Sequence, residues 1–304
     1  MKTSKITLSA FAILFAMAVA VVSCKKKDNT TANDTDASTV SDNSLAEKTA
    51  DDVTTMGAQS SETGSMSSYR EGEENLLTAC ATVTRDTVLK KITVSFNGSA
   101  CLDGHVRTGT LVYDYSGSTN GAKFYRNPGY QMVVSSNGYT VDGNAVSISK
   151  TVKNITALGF NPTTTNETWS DNTSVSVAKS NGTLSWSANK TKTLLNTSDT
   201  SVYHGQAVHI TWSKAIIGIS GNASGTTATG ETFTANSTSQ LVRDFGCSPN
   251  LAHQGHHPLI NGALDFTPGT KATRHIDYGY PNNGACDDQA LVTIGTYTVA
   301  ITLP

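Results

Sequence analysis

Three imidazoles within five residues, in His253-Gln254-Gly255-His256-His257, form the densest set of metal-binding side chains in the chain, and Cys247 stands just before them. Such groups are zinc and copper ligands. Pro249, Gly255 and Pro258 make the segment a loop, however, and adjacent His256 and His257 point apart. No acid between Cys247 and Pro258 completes a catalytic set. The expectation is a solvent-exposed histidine-rich loop with no metal site and no cofactor, in which His253, His256 and His257 are at most weak candidates for adventitious transition metal. A second stretch, Asp277, Asn282, Asn283, Asp287 and Asp288, offers the oxygens that calcium needs. Its spacing is not that of an EF-hand, so these residues read as turn formers that cap their own backbone. Among the aromatics, Trp186 shares a strand face with Leu184 and Ala188, and Trp212 with Val208 and Ile210, so both read as core. Trp169, flanked by polar residues, is expected to be exposed and is the candidate for contact with a glycan. Asp86-Thr87-Val88 offers Thr87 as an O-glycosylation acceptor.

Catalytic signatures are missing. There is no Gly-x-Ser-x-Gly elbow, His-Glu-x-x-His pair, P-loop or Gly-x-Gly-x-x-Gly fingerprint. Ser147-Ile148-Ser149-Lys150 and Ser170-Asp171-Asn172 fit two motifs of penicillin-recognising enzymes, but a following Lys-Thr-Gly is absent. That serine must open a helix, whereas Val146 to Val152 alternates as a strand. The scattered aspartates define no carboxylate pair for glycoside hydrolysis. With 15% charged residues and a net charge of −2 over 304 residues, the chain has no electrostatic grip on nucleic acid.

The elements that must position these residues are strands. From residue 78 onward, apolar and polar residues alternate with period two, broken by Gly, Asn, Asp and Pro. Runs of this kind cover Ile92 to Phe96, Thr110 to Tyr115, Val146 to Val152, Val208 to Trp212, Ile216 to Ile219, Leu264 to Phe266, Ile276 to Tyr280 and Tyr297 to Leu303. Ser174 to Ala178 and Thr183 to Ser187 flank Asn181-Gly182, which predicts a hairpin with a type I′ turn. Residues 78–304 are therefore expected to form an all-β domain, an antiparallel β-sandwich with two pseudo-duplicated halves.

Before it, residues 1–23 place Lys2 and Lys5 ahead of a 17-residue apolar run, Ile6 to Val22, shorter than the ~20 residues of a spanning helix. The segment ends on Val21-Val22-Ser23-Cys24 and resembles a bacterial lipoprotein signal, which implies lipidation of Cys24. Lys25-Lys26-Lys27-Asp28 then resembles the charged run of surface-exported lipoproteins of the Bacteroidota. Residues 24–77 hold 11 acidic and 5 basic side chains without periodicity, and are expected to be a disordered tether. Export places the remaining cysteines in an oxidising compartment.

Ile92 to Asp103 and Ile276 to Asp288 share one plan: a strand, a turn, Ala-Cys and an acid. Each has one cysteine upstream, so the expected pairing is Cys80 with Cys101 and Cys247 with Cys286. Arg274-His275-Ile276-Asp277-Tyr278-Gly279, Gly284 to Ala290 and Thr296 to Leu303 resemble uncharacterised lipoproteins of the Bacteroidota. So do Cys101 to Gly109 and Arg126-Asn127-Pro128-Gly129. This resemblance implies location and fold, and no activity. The expected protein is a lipid-anchored outer-membrane lipoprotein, facing the cell surface or the periplasm. Its non-enzymatic β-domain would be structural, adhesive or binding, with a glycan or protein as ligand. A carbohydrate-active or other hydrolytic enzyme, or a glycan-binding accessory protein, is the alternative.

Overall fold

The computed structural model describes residues 38–63, 80–161, 163–196, 214–247 and 257–303. Helix α1, Ser38–Thr63, comes first. The strands follow: β1 Ala81–Asp86, β2 Lys91–Ala100, β3 Val106–Asp114, β4 Gln131–Val141, β5 Asn144–Asn154, β6 Thr168–Lys179, β7 Gly182–Leu194, β8 Ile216–Thr226, β9 Thr232–Ser237, β10 Leu241–Asp244, β11 Leu259–Asn261, β12 Ala263–Pro268, β13 Arg274–Asp277, β14 Gln289–Ile294 and β15 Tyr297–Thr302.

All strand pairs are antiparallel, in one unclosed sheet that runs from β1 to β9 in chain order and continues through β12 to β15. The fold class is the all-β one that the alternation implies. Strand β8 is where the sheet branches, pairing with β9 over Asn222–Thr226 and with β10 over Ile216–Ile219. At the fork the Ser237 hydroxyl receives the Gly221 amide at 2.9 Å and returns a bond to its carbonyl at 3.1 Å.

The space enclosed by the sheet is occupied by α1. Val40, Ala46, Ala50, Val53 and Met56 are at most 1% exposed, and Asn43, Glu47, Asp51, Gln59 and Ser60 are buried as well. Among its described residues, only one narrow stripe, Ser41, Leu45, Lys48, Asp52 and Thr55, is exposed or partly covered, and the polar residues on the buried sides blur any amphipathic pattern. The helix corrects the expectation of a disordered tether for residues 38–63. Its polar side chains carry no amphipathic signal because they meet polar partners inside the sheet. Three of its hydroxyls are satisfied locally: Thr49, Thr54 and Ser60 each donate to the carbonyl four residues back, at 2.8 to 3.1 Å. Gly57 sets the closest approach, since a Cβ there would lie 2.5 Å from the Tyr113 ring and 2.6 Å from Met132 Sδ.

Two hairpins differ in turn chemistry. Asp142 and Gly143, with φ of 50° and 80°, are the central residues of a turn closed by the Val141–Asn144 pair, as type I′ requires. The Asn181-Gly182 hairpin departs from the expected form. Lys179 pairs with Gly182, so the turn residues are Ser180 and Asn181. Gly182 instead opens β7 with φ of 138°, where a Cβ would lie 2.0 Å from the Ala228 carbonyl oxygen.

Both expected disulfides are formed, Cys80–Cys101 with Cα atoms 4.9 Å apart and Cys247–Cys286 at 5.3 Å. The first closes the neighbouring pair β1–β2, whereas the second reaches from the end of β10 past β11, β12 and β13. The echo between the two cysteine segments therefore does not extend to their topological settings.

Candidate functional site

The polar chemistry of the molecule is concentrated where α1 meets the inward face of the sheet. Four helix acids each meet sheet cations. Asp42 receives Lys179 Nζ at 2.6 Å and the Ala228 amide at 2.9 Å. Glu47 pairs with Lys190. Asp51 takes Lys192 Nζ and Arg243 Nη1, each at 2.7 Å. Asp52 receives Lys48 and Arg107 at 3.3 Å. Neutral links reinforce the seat: Trp186 Nε1 donates to Asn43 Oδ1 at 3.0 Å, and the Tyr113 hydroxyl to the Val53 carbonyl at 3.0 Å.

Two clusters are buried more deeply. Arg107, fully buried, makes a bidentate pair with Asp103, at 2.8 and 2.6 Å. Burial alone would raise the Asp103 carboxyl, but the Arg107 bond and charge hold it below its usual range. In the second cluster, Lys150 Nζ lies 2.7 and 2.8 Å from the two Asp171 oxygens, and Lys192 Nζ lies 2.9 Å from Asp171 Oδ2. Burial pushes the Lys150 ammonium down to about 8 against the pull of Asp171. Asp171 and Asp51 are also held low, but by neighbouring charge rather than by burial. Burial raises both, and the surrounding cations, Lys150 and Lys192 for the first and Lys192 and Arg243 for the second, outweigh it.

These residues carried a signal in the sequence. Lys150 stands within the inward series Val146, Ile148 and Val152, and Lys192 lies between Ala188 and Leu194 in the same register as Leu184 and Trp186. A charge in the core register of an alternating strand requires a buried partner. The partner element, α1, was not legible.

The expected site residues are scattered. Trp169 is in β6 and 1% exposed, with its ring stacked on Tyr125 at 5.3 Å and its indole nitrogen donating to the Tyr125 carbonyl at 3.2 Å. That corrects its assignment as an exposed glycan contact: its polar neighbours are strand residues that alternate with it. His257 is half-buried rather than exposed, packed on Phe245 at 5.1 Å and bonded through Nδ1 to the Cys247 carbonyl at 2.7 Å. His253 and His256 lie outside the described residues, as do Cys24 and Trp212. Asp277 and Asp287 accept the amides of Gly279 and Gln289 at 2.8 Å, so each caps its own backbone; Asp288 sits beside them, half-buried. Among the described residues, no three acids, histidines or cysteines converge to hold a metal ion. Thr87 is exposed in the β1–β2 turn. Ser147 and Lys150 face opposite sides of β5, which separates the two residues of the Ser-x-x-Lys match.

Two cavities flank Arg243 beside α1, with volumes of about 60 and 40 Å³. That is room for a few waters, far below the ~300–1,000 Å³ of small-molecule sites. Apart from Lys153 near the end of β5, the outward face of β5 to β9 is uncharged and set in rows. Ser149, Ser174, Ser187, Ser224 and Thr234 are successive register partners, and so are Thr151, Asn172, Asn189, Asn222 and Asn236. A shallow depression of about 280 Å³ lies on this face, floored by residues of both rows. No known family, curated protein or solved structure matches the chain.

Proposed function

We propose that this chain is a lipid-anchored surface lipoprotein of the kind found in the Bacteroidota, and that its β-domain is a non-enzymatic structural or adhesive module. One observation carries the reading. The place where a curved sheet could hold a substrate is filled by α1, and the charged groups there are engaged in seating that helix. Contact with the surroundings then falls to the outward face of β5 to β9. Its hydroxyl and amide rows suit a neutral, hydroxyl-rich ligand such as a glycan, and lack the aromatic and Arg anchors of a protein interface. Thr87, exposed at a hairpin tip, is the proposed acceptor of an O-linked glycan.

The test is adhesion of cells displaying the full chain to surfaces coated with neutral polysaccharide. Replacing Asn172, Asn189 and Asn222 with Lys should abolish adhesion at unchanged thermal stability. Undiminished adhesion would overturn the assignment of this face, and release of sugars from the coating would overturn the non-enzymatic reading.

A further inference from the structure

The charged groups buried around Lys150 do more than seat the helix. Lys150 and Asp171 stand on neighbouring strands, with Lys150 opposite Thr173 and Asp171 opposite Val152. Their side chains are 1% and 3% exposed. Nζ is 2.7 Å from one carboxylate oxygen and 2.8 Å from the other, so it bridges both. Bridging both oxygens keeps it close to the carbon between them, and holding two reacting groups in contact is what makes a bimolecular step effectively unimolecular. Thr173 Oγ1 accepts a hydrogen bond from Lys150 Nζ at 2.7 Å and donates one to Asp171 Oδ1 at 2.6 Å. One hydroxyl thus connects the protons of the nitrogen to one carboxylate oxygen. The other oxygen, Oδ2, has the Lys192 ammonium at 2.9 Å. A fixed cation stands where negative charge would develop on addition to the carbon.

We propose that in the folded protein Lys150 and Asp171 join through an isopeptide bond from Nζ to Cγ. Thr173 relays the proton and Lys192 stabilises the oxyanion. One proton passes from Lys150 Nζ through Thr173 to Asp171 Oδ1, leaving an amine and a carboxylic acid. The amine lone pair attacks Cγ, and the carbonyl π pair moves onto Oδ2 beside Lys192. When the carbonyl re-forms, the Cγ–Oδ1 bond breaks, and Oδ1 takes a second proton from the nitrogen and leaves as water. Ammonium and carboxylate become amide and water, with no oxidant and no further reactant. Two buried charges disappear, and with them the cost of keeping both from water. Burial already lowers the proton affinity of Lys150, which favours the first transfer, while Lys150 and Lys192 hold Asp171 low, which opposes it. The relay through Thr173 is what makes the transfer local.

Mass spectrometry of proteolytic fragments from the folded, then reduced and denatured, full chain reads the bond directly. The expected result is a branched fragment containing Lys150 and Asp171, lighter by one water than the two separate fragments. Lys150→Met and Asp171→Ala should each remove it. Thr173→Val, which keeps the side-chain volume, should slow its appearance by ~100-fold or more. Since the wild-type chain carries the decisive measurement, a variant that fails to fold does not blunt the test. Separate fragments of unaltered mass after prolonged incubation of the folded protein would overturn the proposal. So would a branched fragment that joins Asp51 to Lys192 instead.

Discussion

Asp51 is the helix acid on which the most charge converges, because alone among the four acids of the seat it offsets two sheet cations, Lys192 and Arg243. Asp51→Ala leaves both buried with no carboxylate from α1 beside them. Removing one partner of a buried pair costs about 3–5 kcal/mol, and urea unfolding should show a loss of that size. The exposed pair Lys91–Asp114, with side chains 45% and 33% exposed, is the control: Asp114→Ala should cost no more than about 1 kcal/mol. For Trp169, wedged against Tyr125, substitution by Ala should cost about 3–5 kcal/mol without altering ligand binding. This residue also shows how sequence reading fails locally. Thr168, Ser170 and Asn172 are polar because they face outward on β6, not because the segment is a loop. Once the strand is extended six residues toward its start, to Thr168, Trp169 falls into register with Val175 and Val177.

At the scale of elements, the strands with clean alternation were legible, and β5, β6, β7 and β15 lie where the pattern puts them. Strand β4 was harder to see because Asn137-Gly138 reads as a turn but forms an irregularity within the strand, where the β4–β5 register shifts between Ser135 and Thr140. The helix was illegible for a deeper reason. Periodicity reports the boundary between an apolar side and a polar side, and α1 buries polar residues around most of its circumference, so its narrow exposed stripe does not stand out. Gly57 gives a sharp test of this burial. In an exposed helix Gly→Ala adds about 1 kcal/mol of stability, whereas here the new methyl meets Tyr113 and Met132, so Gly57→Ala should cost about 1–3 kcal/mol by thermal or urea unfolding. The seat also fixes the response to acid. Asp51 and Asp103 have folded-state values below their ordinary one, and so has Asp171 for as long as it is a free carboxylate. Their contribution is therefore complete above the ordinary carboxylate range and is lost as pH falls through the folded values. Glu167, raised by burial beside Arg126, opposes them, one group against three. Thermal stability should hold from neutrality down to about pH 5 and fall steeply below about pH 4, with α1 leaving its seat.

For the whole molecule, one disulfide closes the β1 end of the sheet and the other joins the β10 branch to the loop between β13 and β14. Replacing Cys80 and Cys101 together with Ser should cost about 2–4 kcal/mol, and non-reducing peptide mapping should recover the two pairs without cross-combinations. Cys24→Ser should release the chain from membranes if the proposed anchor is correct, and retention would exclude it. On that proposal, the docking of α1 sets the working distance between membrane and domain. From Cys24 to Ser38 there are 14 residues, which extend no farther than about 50 Å. From Cys24 to Cys80 there are 56, which could extend to about 200 Å. A seated helix is thus a leash wound in. A pull on the membrane end loads the Asp42, Glu47, Asp51 and Asp52 contacts before it reaches β1, and their release lengthens the reach about fourfold while the sheet stays covalently attached.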